Sequence, residues 1–188
     1  MTPTGFLAYS AALAVAVAVP GPGIVAMVAR GLGSGFRAAL PFTIGIALGD
    51  LVYLTAAVLG LAFIAQTFGM VFLTLKYAGA AYLMYLAWKF WTSGTGFDRV
   101  EARRAESPLV SFMSGLMVTL GNPKVMVFYL ALLPAIIDLS SVTLADYGVL
   151  VILTSGILLA ILLPYLALAT RTRALLQISL DYLNGVQG

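Results

Sequence analysis

Apolar positions dominate this chain in long blocks, and polar positions fall mostly between them. The blocks approach the roughly 20 residues a helix needs to cross the hydrocarbon core of a bilayer. Five spans can be drawn, at about 6–29, 41–64, 70–91, 109–136 and 147–170. Two of them are interrupted. The stretch "AVAVAVPGPGIVAMVAR" carries Pro20, Gly21, Pro22 and Gly23 inside the first span, and "VTLGNPKVMVFYLALLP" carries Gly121, Asn122, Pro123 and Lys124 near the middle of the fourth. A proline inside a helix removes a backbone donor and costs roughly 3 kcal/mol. Pro41 and Pro108 are expected at helix starts, where a missing N–H does no harm, and Pro164 is expected to kink the fifth span.

Composition makes lipid the solvent. Of 188 residues, 62% are hydrophobic and only 9% charged, where a soluble domain carries about 25% charged residues. Cysteine and histidine are both absent, which removes disulfides, thiolate or imidazole metal sites and imidazole proton relays. No cofactor is expected, no ligand cluster suits a metal, and the hydroxyls have no base at motif spacing to activate them, so enzyme chemistry is not expected. The N-terminus has no basic residue before its apolar run. A cleaved signal peptide is therefore not expected, and the segment reads as a retained helix.

The net charge of +3 carries no nucleic-acid signal, because the bases sort by membrane side. Arg30 and Arg37 follow the first span, Lys89, Arg99, Arg103 and Arg104 the third, and Arg171 and Arg173 the fifth, eight of the ten bases in all. The positive-inside rule puts those connectors in the cytoplasm and the N-terminus outside. The polar connector "TSGTGFDRVEARRAESP", residues 92–108, splits the chain into halves at 1–91 and 109–188. It reads as a solvated linker, with a docking site for a soluble partner as the alternative.

The two interruptions fall in the first spans of the two halves. Matched broken helices are a sequence pointer to a transporter's substrate site: freed N–H groups attract an anion, and freed carbonyls can hold a cation. Such backbone is tolerated at membrane depth only where protein or a wet cavity surrounds it. Asp50, in "TIGIALGDLVYLTAAVLG", is the one acid well within a span. It is a candidate proton carrier or one partner of an ion pair with Lys124 or Arg30. Gly45, Gly49, Ala56 and Gly60 read as a close-packing stripe beside it, with Tyr53 on the flank towards Asp50. Lys124 can neutralise Asp50 or bind a substrate carboxylate. Tyr77, Tyr82, Tyr85, Trp88 and Trp91 read as an interfacial belt rather than a ligand box.

Pro20-Gly21-Pro22, "GIALGDLVYL", "KYAGAAYLMYLAW" and "GNPKVMVFYLALLP", in this order, resemble the LysE/RhtB family of bacterial amino-acid exporters. The resemblance implies an all-α polytopic transmembrane bundle of two inverted three-helix repeats in the cytoplasmic membrane. It implies amino-acid export driven by the proton-motive force and a homodimer. Carried over residue by residue, the family's site falls on Pro20, Gly21, Pro22, Asp50, Asn122, Pro123 and Lys124; Gly23 and Tyr53 join these as neighbours in the sequence. A sixth span is expected after "RTRALLQISLDYLNGVQG" and is absent from this five-span chain. The alternatives are a transporter or channel for a small cation and a non-transporting membrane subunit.

Overall fold

The computed structural model describes residues 1–61 and 107–185, with side chains described up to Arg173. The third expected span, with its aromatic belt, and residues 92–106 of the linker lie outside the described residues. Among the described residues the chain is helical and holds no strand. Helix α1 covers Pro3–Ala18, α2 Pro22–Ser34 and α3 Phe36–Ala56, the last continued by a π-helical turn at Ala57–Leu61. After the undescribed segment come α4, Pro108–Leu120, and α5, Pro123–Val127. A π turn at Phe128–Leu132 joins α5 to α6, Leu133–Ile136, and α7 runs over Leu144–Gly185.

Two helices, Phe36–Gly60 and Leu144–Arg173, are long and apolar enough to cross a membrane unaided. The α1–α2 pair and the pair Pro108–Leu120 with Pro123–Ile136 pass the same test jointly, and each is bent by 52° at its break. The described residues thus hold up to four spans. The chain is a membrane protein.

Several boundaries differ from the expected ones. Pro41 lies inside α3 rather than at its start, because Gly35, the one described residue with a positive φ (83°), makes the turn and helix begins at once at Phe36. The bond Pro41 forgoes is to the carbonyl of exposed Arg37, near the helix end where water can replace it. Arg30 lies within α2, not in a connector. Its guanidinium sits 4.7 Å from the centre of the Phe42 ring and Nη1 donates to Ser111 Oγ at 3.2 Å. Pro108 does open a helix, with the Ser107 side chain as cap.

Glycine sets the tightest packing. Gly45 of α3 faces the backbone of Phe112 and Leu116, while Gly115 of α4 faces the backbone of Phe42. The contact is reciprocal: in "FTIG" and in "FMSG" each glycine receives the carbonyl of the other helix's phenylalanine. A Cβ at either position would overlap that carbonyl. In lipid this matters more than apolar burial, because the tails are as apolar as leucine and helices associate through packing and close backbone approach. Gly49 continues the stripe against Thr119, whereas Ala56 is exposed and a Cβ at Gly60 would meet nothing among the described residues.

The ends of the bundle differ in charge. The Met1 amino group pairs with Asp146 at 3.0 Å, which brings the starts of α1 and α7 together. At the other end the Arg173 guanidinium lies beside Gly35.

Candidate functional site

The breaks follow from which N–H groups are missing. In a continuous helix the carbonyls of Ala16 and Ala18 would accept from residues 20 and 22, both prolines here. The carbonyl of Leu120 would accept from Lys124, whose N–H instead turns back to Asn122 Oδ1 at 3.0 Å. Side chains from elsewhere in the fold take three of the carbonyls at the breaks. Tyr165 of α7 donates to Ala18 O at 2.9 Å, Lys124 Nζ donates to Val19 O, and Tyr53 Oη donates to Leu120 O. Those three carbonyls are therefore taken by protein donors.

The amide sides are treated differently. Helix α5 is capped by the Asn122 side chain. Helix α2 starts at Pro22 with Gly21 in the cap position and no side-chain cap, so the N–H groups of Gly23 and Ile24 have no partner within their helix. Val25, one residue on, already bonds to Gly21 O at 3.0 Å.

The two breaks face one another across a cavity of about 60 Å³. Gly21, Gly23 and Ile24 line it from the first break, and Thr119, Asn122, Lys124 and Val125 from the second. Asp50 and Ile46 line it from α3, and Leu158 and Leu162 from α7. The Lys124 stem lies over Gly21, where a Cβ would stand 3.2 Å from its Cδ, and Asn122 Nδ2 lies 3.9 Å from the place of a Gly23 Cβ. Both glycines thus admit side chains from the opposite break. Asp50 is 5% exposed. The Tyr129 hydroxyl and the Lys124 ammonium are the groups that act on it. The ammonium binds Val19 O and reaches Asp50 as a nearby charge rather than as a tight pair.

Of the nine residues singled out in the sequence, Gly21, Gly23, Asp50, Asn122 and Lys124 line one cavity. Pro20 and Pro22 are exposed and act by the donors they lack, and Pro123 opens α5. Tyr53 does not line the cavity and is stacked on Tyr129 with ring centres 6.3 Å apart. Sequence reasoning missed the apolar wall of Ile24, Ile46, Leu158 and Leu162, and it missed Tyr129. One signal was present for the tyrosine: it follows Asn122 by two helical turns and so shares its face.

Known proteins resemble this chain over most of its length. The family model for LysE type translocators matches residues 14–184. A homoserine/homoserine lactone efflux protein of Salmonella typhimurium is 29% identical over 155 residues, 82% of this chain and 75% of its own. A leucine efflux protein of an Enterobacter species is 31% identical over 126 residues, 66% of this chain and 60% of its own. A membrane protein of Synechocystis without assigned function is 28% identical over 156 residues, 81% of this chain and 76% of its own. No solved structure matches.

Proposed function

Because the chain belongs to the LysE type translocators, we propose that it exports an amino acid or a close derivative across the bacterial cytoplasmic membrane in exchange for protons. The observation that carries this reading is the facing pair of breaks, with one acid, one base and one uncapped helix start on the same cavity. That set suits a zwitterion. The substrate carboxylate lies at the start of α2, on the N–H groups of Gly23 and Ile24, and takes the Lys124 ammonium from Val19 O. The substrate ammonium lies against Asp50. A side chain without charge faces the wall of Ile24, Ile46, Leu158 and Leu162.

Asp50 is also the coupling group. Placing a carboxylate inside a span costs about 2.5–3.5 kcal/mol on insertion scales, so an empty site favours the protonated acid. An arriving ammonium favours release of that proton. One carboxylate serving both in turn gives exchange. The cavity, at about 60 Å³, is below the roughly 300 Å³ at which ligand pockets begin, so substrate entry requires the half-helices to move apart. The two-half organisation at 1–91 and 109–188, as inverted repeats paired in a homodimer, belongs to the same proposal. A cation carrier would use open carbonyls at the breaks, and those of Ala18, Val19 and Leu120 are occupied by Tyr165, Lys124 and Tyr53.

The test is efflux of a labelled amino-acid mixture from proteoliposomes, with and without an imposed pH gradient. Gradient-driven loss of particular amino acids, abolished by Asp50→Asn, is the expected result. Flux that ignores both the gradient and the substitution would overturn the reading.

A further inference from the structure

Tyr129, Tyr9 and Thr154 carry buried hydroxyls that do not line the cavity and that substrate binding does not use. Tyr129 Oη is wholly enclosed and, among the described residues, meets no partner at ordinary hydrogen-bond geometry, its nearest polar neighbours being Asp50 and Tyr9. Asp50 and Tyr9 both act on it, and its ring and that of Tyr9 both pack against Phe128, at 5.1 Å and 6.3 Å from the Phe128 ring. Tyr9 Oη in turn is 2.6 Å from Thr154 Oγ1, and Tyr9 and Thr154 are both fully buried. The three hydroxyls come from α1, the turn after α5, and α7, so together they touch both broken spans and the long helix.

Packing alone does not account for it. The rings of Tyr9, Phe128, Tyr129 and Tyr53 form one cluster, with Phe128 edge-on to Tyr129 at 5.1 Å and tilted against Tyr9 at 6.3 Å. Phenylalanine would fill the same ring positions without burying a polar atom. A hydroxyl enclosed without a partner is disfavoured in a folded protein and calls for a reason. Its place beside the acid that the proposed export reaction protonates supplies one.

We propose that Tyr129, Tyr9 and Thr154 are a proton relay to Asp50, separate from the substrate's route; the proposal rests on Asp50 being the coupling group. A hydroxyl can accept a proton and give up its own, which is what a relay link requires. Thr154 passes its proton to Tyr9, Tyr9 to Tyr129, and Tyr129 to the Asp50 carboxylate, while a hydronium ion in water reaching Thr154 replaces the first. Each hydroxyl loses one O–H and gains one, and the net change is one hydronium consumed and one carboxylate neutralised. The relay would take its protons from the end at which α1 and α7 begin, the end marked by the Met1–Asp146 contact, and water must open a way to the buried Thr154 to deliver them. By helical rise Tyr9 lies about 9 Å and Thr154 about 15 Å along its helix from there. Rotation of the Tyr129 hydroxyl from Tyr9 to Asp50 is the step that gates the relay.

Two assays on the full chain in proteoliposomes separate this from a structural role. Exchange of labelled for unlabelled substrate at equal pH needs no net proton movement, whereas efflux driven by a pH gradient does. Tyr129→Phe is expected to keep exchange within about twofold of the parent and to lower gradient-driven efflux at least tenfold. Tyr9→Phe, one link further out, is expected to do the same and decides the matter should Tyr129→Phe not fold. Undiminished gradient-driven efflux in these variants would overturn the relay, and so would a loss of exchange equal to the loss of efflux. A parent protein that exchanges substrate yet ignores the pH gradient would instead refute proton coupling itself.

Discussion

The two breaks are alike in outline and opposite in detail. Both bend their spans by 52°, both are opened by proline, and both have a carbonyl capped by a tyrosine from a distant helix. Yet the first ends in Gly21 and leaves the start of α2 uncapped, while the second carries Asn122, which caps its own helix, and Lys124, which crosses to the first. One break offers backbone donors and room. The other offers side chains that enter that room. A binding site assembled from a broken helix needs both, and here each break supplies what its counterpart lacks.

That division can be broken from either side. The largest effect is expected at Lys124. A hydrogen bond to a charged group is worth about 1.5–3 kcal/mol, so Lys124→Met should weaken binding of an exported amino acid roughly tenfold to a hundredfold, read by titration of the protein in detergent. Asn122→Ala comes next. Losing an N-cap costs about 0.5–2 kcal/mol, so the unfolding midpoint should fall, and Asn122→Asp, which keeps an acceptor at the cap, should recover most of it.

Gly21→Ser sharpens the comparison further by giving the first break the cap it lacks. The backbone there (φ −123°) accepts any residue, and the added Cβ, 3.2 Å from Lys124 Cδ, obliges the lysine stem to shift. A serine oxygen on the Gly23 and Ile24 N–H groups would compete with a ligand carboxylate, and the helix-start contribution of about 0.3–1 kcal/mol predicts a loss of affinity of at least about twofold to fivefold. The smallest effect belongs outside both breaks. The Ser140 hydroxyl, 2.6 Å from Asp138 Oδ1, and the Ser140 N–H, at 3.1 Å, hold the Asp138 carboxyl below its usual range. A lowered value stabilises the fold above the ordinary carboxylate range of about 4 and is lost as pH falls through it. Asp138→Asn should therefore lower the unfolding midpoint slightly between pH 6 and 8, and the difference from the parent should shrink as pH falls below about 4.

What the sequence shows of this site is what covalent structure dictates. Proline has no N–H, so the breaks at Pro20–Pro22 and Pro123 are legible without any fold. A lone acid in an apolar run has few places to face, so Asp50 is legible too. The donors to the carbonyls at the breaks are not, since Tyr165 and Tyr53 are chosen by helix packing over separations of 147 and 67 residues. The apolar wall is hidden for the same reason: Leu158 and Leu162 look like every other leucine in α7. Pro41 falls inside α3 rather than at its start because the turn before it rests on a single glycine, Gly35, which nothing in the local pattern marks as the boundary.

The central claim is that the second break's lysine and the first break's uncapped helix share one ligand carboxylate. The most direct measurement is a cycle of binding free energies, using an exported amino acid and its neutral amide on the parent and on Lys124→Met. Removing the carboxylate should weaken binding strongly in the parent and far less in the variant, giving a coupling of at least about 1 kcal/mol between the two changes. Additive losses would mean that Lys124 and the carboxylate do not meet, and would contradict the site as built here.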